Sequence, residues 1–207
     1  MKQFNRNFFA IGFLFLGLGG CVSAQSSPTS RFYALSSVRE SPMGQTIKMS
    51  SDVIIGVGPV KIPQYLDRPQ MVTINKDKML KFAQFDRWAE ILDLGLARQI
   101  REDLTGLLPG VTLTMYPWSA SMPVKYQVIV EIVQLDSELD KDVSLVAQWQ
   151  IMDTQNVKMM MIKRSEFRQP IVLHNYSGLA QTLSVVCTSL STEIAHALAD
   201  LDTLPKK

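Results

Sequence analysis

Two runs of alternating apolar residues between positions 124 and 151 constrain the fold of this chain more than any other feature. The first run places Val124, Tyr126, Val128, Val130 and Ile132 on one face of a strand, and the second does the same for Val143, Leu145, Ala147, Trp149 and Ile151. Because successive side chains of a strand point to opposite faces, each run predicts a strand with one buried face. Polar turns at 136–142 and 153–156, with a third strand at 157–166, complete a predicted antiparallel meander.

Helical periodicity lies on either side of this meander. Residues 88–108 repeat apolar side chains at three- and four-residue steps, which predicts an amphipathic helix with Asp86 as its N-cap and Pro109-Gly110 as its end. Residues 177–201 carry a second apolar stripe of the same kind, which predicts a second long helix.

The first third of the chain predicts shorter elements. Residues 31–35 read as a strand, 36–51 as a loop, and 71–74 with 79–82 as a small hairpin. The β-rich run 53–60 contains two glycines, which favour a bulge, and Pro59, which favours an edge strand or a strand end. The whole pattern predicts an α/β fold, in which two long amphipathic helices pack on a mixed, largely antiparallel sheet within a single domain.

The N-terminus carries an export signal. Residues 1–20 combine Lys2 and Arg6 with an apolar stretch that is too short for a lasting membrane span, which is typical of a secretory signal peptide. Leu18-Gly19-Gly20-Cys21 matches the pattern that directs lipid attachment to the cysteine thiol. We therefore expect Cys21 to carry acyl chains such as palmitate, which hold the chain on a membrane.

Three regions follow from this prediction: a signal peptide at 1–20, a lipidated N-terminus with a flexible tether at 21–30, and a periplasmic domain at 31–207. About ten residues of such a Ser-rich tether span roughly 15–20 Å, so the domain is expected to work close to the bilayer. Val22 follows the cysteine, where retention in the inner membrane usually requires Asp, and this favours the periplasmic face of the outer membrane.

The charge balance argues against a nucleic-acid partner. Removal of residues 1–20 takes away two basic residues and no acidic one, which leaves equal numbers of each. A domain without net charge lacks the basic excess that binding to a phosphate backbone requires.

Motifs for catalysis are missing from the sequence. Gly56-Val57-Gly58-Pro59 lacks the third glycine of a dinucleotide fingerprint, and neither a phosphate loop nor a serine-nucleophile elbow occurs. Glu193 and His196 have a metal-ligand spacing but stand without the second copy that carboxylate-bridged sites need. Cys187 is expected to be a buried helix residue. The sequence therefore predicts no enzyme, no catalytic residue, no metal site and no cofactor.

The segment 63–70 is the strongest candidate for a binding surface. Pro63 and Pro69 fix the backbone around Tyr65, Asp67 and Arg68. Tyr and Arg are the residue types that dominate interface hot spots. Two interpretations remain open: a rigidly presented contact surface, or a turn in which Tyr65 packs on the core.

These residues also carry a family resemblance. Residues 56–63 and 65–70, followed by Phe85-Asp86-Arg87-Trp88-Ala89-Glu90, Tyr116-Pro117-Trp118 and Ala147-Gln148-Trp149, resemble the ABC-type transport auxiliary lipoproteins (the PqiC/YmbA group). The resemblance spans nearly all of the mature chain. It implies a non-enzymatic accessory of an MCE-type system that moves lipids between membranes, docked to a periplasm-spanning MCE subunit either as a monomer or as a homo-oligomer.

The resemblance marks Tyr65, Asp67, Arg68 and Trp88 as candidate partner contacts, although an architectural role for them stays open. Two other functions also remain open. A direct lipid carrier would enclose an apolar cavity between the sheet and the helices, and an envelope-assembly lipoprotein would act on cell-wall or outer-membrane proteins.

Overall fold

The computed structural model describes residues 28–36 and 46–203. Within these residues the strands are β1 (Arg31–Tyr33), β2 (Ile54–Lys61), β3 (Gln70–Ile74), β4 (Leu80–Trp88), β5 (Thr112–Met115), β6 (Tyr126–Ser137), β7 (Asp142–Asp153) and β8 (Lys158–Pro170). The helices are α1 (Leu92–Leu107) and α2 (Tyr176–Thr203), with a short 3₁₀ helix at Gln64–Leu66. The predicted signal peptide at 1–20, Cys21 and the tether up to residue 27 lie outside the described residues.

The strands form two sheets where the sequence predicts one. The larger sheet has the order β5-β2-β6-β7-β8, with β2 parallel to both of its neighbours and β6, β7 and β8 antiparallel. The smaller sheet has the order β1-β4-β3, with β1 parallel and β3 antiparallel to β4. The predicted meander, the hairpin at 71–82 and the mixed α/β fold are confirmed.

One core joins both sheets to both helices. Leu96, Ile100 and Leu104 of α1 are buried against the larger sheet and α2. Met71 of β3 and Trp88 of β4 belong to the same buried cluster. The two helices also contact each other through polar groups, since Gln99 Nε2 donates to the Ser184 carbonyl at 2.7 Å. The apolar stripes of the sequence thus face a shared interior, as their periodicity predicts.

The start of the first helix differs from the prediction. Helix α1 begins at Leu92, whereas the apolar period predicts a start at residue 88 with Asp86 as N-cap. Asp86 and Trp88 instead belong to β4, where they pair with Arg31 and Tyr33 of β1. The N-cap assignment is therefore wrong. Asp86 is paired with β1, whose Arg31 and Tyr33 lie 55 and 53 residues before it in the chain and bind its carboxylate. Helix α2 matches its prediction to within two residues at each end.

The glycines of β2 form the predicted bulge, with a register shift between Val57 and Val60 against β6. Gly58 has a φ of +109°, a left-handed conformation that favours glycine. Of the two positions predicted for Pro59, the edge strand is wrong, because β2 lies between β5 and β6. Pro59 does lie near a strand end, since β2 ends two residues later at Lys61. Pro59 fits in the interior of the sheet because it occupies the bulge, where the regular ladder of hydrogen bonds is interrupted.

Among the helices of the described residues, none combines the length and apolar composition needed to cross a bilayer.

Candidate docking surface

The segment 63–70 is held in one conformation by its own backbone. After Pro63 the chain makes a single 3₁₀ turn, in which Leu66 N donates to the Pro63 carbonyl at 2.9 Å. Arg68 N then donates to the Leu66 carbonyl at 2.8 Å. Because prolines restrict the backbone at both ends, these hydrogen bonds fix the directions of the intervening side chains.

Tyr65 attaches this segment to the larger sheet. Its half-buried hydroxyl donates to the Leu135 carbonyl of β6 at 3.4 Å, and its ring packs against the core. Burial raises the pKa of the Tyr65 hydroxyl, although the bond to the Leu135 carbonyl lowers it in part. The tyrosine therefore combines a packing role with a partly accessible surface.

Arg68 attaches the segment to the smaller sheet. Its guanidinium lies 4.2 Å from the ring centre of Phe82 in β4, within the range of a cation–π interaction. Phe82 is itself 49% exposed, so the pair forms part of the surface. Asp67 lies between the two attachment points, with its side chain exposed to solvent.

Trp88 supports the segment from below. Its backbone N–H donates to the Pro69 carbonyl at 2.8 Å, while its side chain is only 7% exposed. The structure thus brings Tyr65, Asp67 and Arg68 together on one segment and places Trp88 in the core beneath it. In this arrangement Trp88 positions the backbone rather than presenting its ring.

Sequence reasoning missed an ion-pair cluster centred on Asp86. The Arg31 guanidinium binds both Asp86 oxygens at 2.8 Å, and the Tyr33 hydroxyl donates to the same carboxylate at 2.8 Å. Asp86 is 3% exposed, so three strong hydrogen bonds compensate its burial. The bond to Asp86 raises the pKa of Arg31, and burial together with this bond raises the pKa of Tyr33.

No local signal identifies this cluster, because its partners are more than 50 residues apart. Its structural effect is to fasten β1, the first strand of the described residues, to β4. The point at which the chain leaves the domain towards its N-terminus is therefore fixed.

The other reactive side chains are either buried or bonded to neighbouring groups. Cys187 is a free, fully buried thiol, and burial raises its pKa well above the ordinary value. Glu193 forms an ion pair with Lys163, and His174 Nδ1 lies 3.0 Å from the Leu139 carbonyl. Within residues 28–36 and 46–203, no three His, Cys, Asp or Glu side chains are grouped so that they could hold a metal ion.

The outer face of the larger sheet has a shallow depression of about 140 Å³. Its lining includes Ile129 and Ile162 beside the polar side chains of Glu131, Gln148 and Gln150. This volume is below the roughly 300–1,000 Å³ of typical small-molecule sites. This depression is therefore too small to enclose a drug-sized ligand.

Comparisons with known proteins identify the family of the chain and its fold. The family model described as "ABC-type transport auxiliary lipoprotein component" matches residues 33–195. Among curated proteins, none matches the chain by sequence. The chain superposes on the crystal structure of an uncharacterized protein with a TM-score of 0.64 at 18% identity, covering 83% of this chain and 99% of the other.

A Xanthomonas campestris protein gives a TM-score of 0.62 at 9% identity, covering 83% of this chain and 95% of the other. At these identities the two structures show a shared fold.

Proposed function

The chain belongs to the family of ABC-type transport auxiliary lipoprotein components, and on this basis we propose that it is the outer-membrane accessory of an MCE-type lipid transport system. Family membership makes it a lipoprotein that assists ABC-type transport, which implies a membrane anchor and exposure to the periplasm. In our proposal Cys21 carries the lipid, the anchor lies in the outer membrane, and the domain docks the periplasm-spanning MCE subunit without catalysing a reaction.

The family match over residues 33–195 is the observation that carries this proposal, because it covers almost the whole folded domain. The interior supports docking over lipid carriage. Buried side chains from both sheets and both helices form one cluster. A carrier for a phospholipid would instead need an apolar cavity of roughly 300 Å³ or more between these elements.

We assign the partner contact to the docking segment, defined as residues 63–70. Tyr65 and Arg68 are anchored to different sheets by their contacts with Leu135 and Phe82. A surface fixed at two points loses little conformational entropy on binding, which favours affinity. Asp67 is the exposed charge between them, and Trp88 acts beneath them as a positioning residue.

The test is crosslinking in cells between the full-length lipoprotein and an MCE subunit of the same cell. A D67K variant reverses one exposed charge in the docking segment, and a D200K variant reverses one on the exposed side of α2 as a matched control. We expect the crosslink yield to fall about tenfold for D67K, as like charges disfavour a complementary interface. The D200K variant should retain the wild-type yield.

Equal crosslink yields for D67K and D200K would show that the docking segment is not part of the interface. Unchanged assembly of the MCE complex after deletion of the lipoprotein would contradict the docking function itself. Metabolic labelling with radioactive palmitate tests the anchor separately, and a C21S variant should lose the label.

A further inference from the structure

The end of the domain that receives the tether is defined by three elements. Strand β1 begins at Arg31, beside Asp86 of the parallel strand β4. Strand β4 begins six residues before Asp86, so its first residues and the β3–β4 turn extend beyond the start of β1, towards the side from which the tether arrives. Six strand residues span up to about 20 Å.

Helix α2 also begins at this end. Burial raises the pKa of its first residue, Tyr176, and Thr73 of β3, Asp86 and Arg31 lie near enough to influence this pKa as well. The chain after β1 then runs along α2, where Ser36 N donates to Ser184 Oγ at 3.3 Å. Asp202, at the far end of α2, bonds instead to Lys125 at the start of the large meander. With 28 residues, α2 separates the two ends by about 40 Å.

The tip of the β3–β4 hairpin has an unusual surface for a soluble turn. Every side chain from 76 to 82 is exposed. Three of them are lysines, at positions 76, 78 and 81, and three are large and apolar: Met79 at 60% exposed, Leu80 at 41% and Phe82 at 49%. The seventh exposed side chain is Asp77, so the tip combines three positive charges and one negative charge with apolar surface. Cationic and apolar side chains together are typical of protein segments that lie in a bilayer interface, where lysines attract anionic headgroups.

The tip is also pre-shaped. Asn75 Oδ1 accepts hydrogen bonds from the backbone N–H groups of Asp77 at 3.0 Å and Met79 at 2.8 Å. Lys78 adopts a φ of +62°, and Asn75 N donates to the Met79 carbonyl at 3.0 Å. The apolar side chains are therefore exposed by a defined turn, and a lipid surface would bind them without reordering the backbone.

We propose that the tip of the β3–β4 hairpin, residues 75–82, contacts the anionic phospholipid surface that holds the lipid anchor. The inference rests on the anchor at Cys21 in the proposed function. Ten residues link Cys21 to Arg31 and span roughly 15–20 Å, which is similar to the projection of the hairpin beyond Arg31. The anchor and the hairpin thus reach the same plane and fix the orientation of the domain on the membrane.

A fluorescent probe at single positions tests this contact in the full-length lipidated protein. Cys187 is fully buried and Cys21 is blocked by lipid, so an introduced cysteine is the accessible thiol for labelling with the environment-sensitive dye NBD. The test position is M79C. The matched controls are V172C and V157C, since both valines are 83% exposed and they lie at opposite ends of β8, a strand of 13 residues or about 40 Å.

In vesicles of phosphatidylethanolamine and phosphatidylglycerol, we expect the NBD emission of M79C to shift to the blue and to rise about threefold, because the probe enters an apolar interface. The V157C probe should keep its emission in water. The V172C probe lies at the same end of the domain as the β3–β4 hairpin but is not part of its tip. Its emission should therefore be intermediate between those of the M79C and V157C probes.

Charge dependence separates an anionic surface from general apolar adsorption. A K76Q/K81Q variant of M79C should lose most of the blue shift, while a K48Q/K158Q variant, which neutralises two exposed lysines elsewhere, should keep it. Lys78 is left intact because it pairs with Asp136 at 3.4 Å. Vesicles of phosphatidylcholine alone should give a weak shift for every variant.

Three outcomes would overturn the proposal. They are an aqueous spectrum of M79C in anionic vesicles, equal shifts of M79C and V157C, and a shift of M79C that appears only when the MCE subunit is added. The last outcome would identify a protein partner at the tip. Vesicle flotation distinguishes a missing lipid anchor from a missing hairpin contact. A protein without the lipid would not float with the vesicles, whereas a lipidated protein whose hairpin does not touch the membrane would still float.

Discussion

Asp202 links the last turn of α2 to two distant parts of the chain. Its carboxylate accepts a hydrogen bond from Ser50 N at 3.0 Å and from Lys125 Nζ at 2.9 Å. Burial acts to raise the pKa of Asp202, but the bonds from Ser50 and Lys125 outweigh it, so that the pKa is lowered from its ordinary value of 3.8. The ionised form therefore stabilises the folded state.

We predict that this contribution is lost in acid. Because the folded-state pKa of Asp202 is below its unfolded value, the stabilisation is complete above pH 4 or so and disappears as the pH falls through the folded value. At pH 7 the free energy of unfolding of a D202N variant should be about 1–2 kcal/mol lower than that of the wild type, since the variant loses charge-assisted hydrogen bonds. Urea unfolding at several pH values measures the difference.

The difference between wild type and D202N should shrink below about pH 4, where the wild-type carboxyl also becomes protonated. The control is D200N, which neutralises an exposed carboxylate on the same helix and should match the wild type at neutral pH. If D202N loses the same amount of stability at every pH, the packing of the side chain and not its charge stabilises this contact.

At the scale of whole elements, the two helices use glycine for different reasons. Gly178 lies in the first turn of α2, where its N–H donates to Asn175 Oδ1 at 2.9 Å. A Cβ at Gly178 would lie 1.9 Å from the Leu173 carbonyl oxygen, so the preceding loop can pack here only against glycine. Gly106 lies in the last turn of α1, and a Cβ there would meet nothing within 4 Å.

Replacing each glycine by alanine should therefore change stability in opposite directions. We expect G178A to destabilise the protein by about 1–3 kcal/mol, because the backbone of the loop must move. We expect G106A to stabilise it by up to about 1 kcal/mol, because alanine has the higher helix propensity. Chemical denaturation of both variants measures this, and a destabilised G106A would mean that the end of α1 has contacts beyond those seen.

The molecule as a whole joins its two sheets through one core and several polar links. The buried cluster contains Met71 and Trp88 of the smaller sheet together with Trp149 of the larger one. The Tyr65 hydroxyl and the ion pair between Lys78 and Asp136 add connections at the surface. Exposing either sheet alone would leave the other with an unpaired apolar face, which is costly.

We therefore predict that both sheets unfold in one cooperative transition. Hydrogen exchange followed by mass spectrometry should give opening free energies for the buried parts of β3 and β4 within about 1 kcal/mol of those for β6 and β7. Peptides from the exposed hairpin tip are excluded from the comparison, because exposed residues exchange by local opening. A smaller sheet that opens several kcal/mol earlier would define it as a separate folding unit.

The sequence by itself determined the elements whose pattern is local. The alternation in the meander, the apolar stripe of α2 and the turn residues between β3 and β4 each reflect neighbours within a few residues, so they predict these elements closely. The two prolines likewise predict that the docking segment is constrained. Membership of the lipoprotein family, too, is read from motifs in the linear chain.

Only the tertiary structure decided how distant segments compete and which side chains remain at the surface. The sequence alone predicts Asp86 as a helix cap, whereas in the structure Asp86 lies in a strand and its carboxylate is bound by Arg31 and Tyr33. Trp88 becomes a supporting residue because the core buries its ring, and Pro59 enters a central strand because a bulge accommodates it. These outcomes depend on contacts between residues far apart in the chain, whose free energy exceeds local preference and leaves no periodic trace in the sequence.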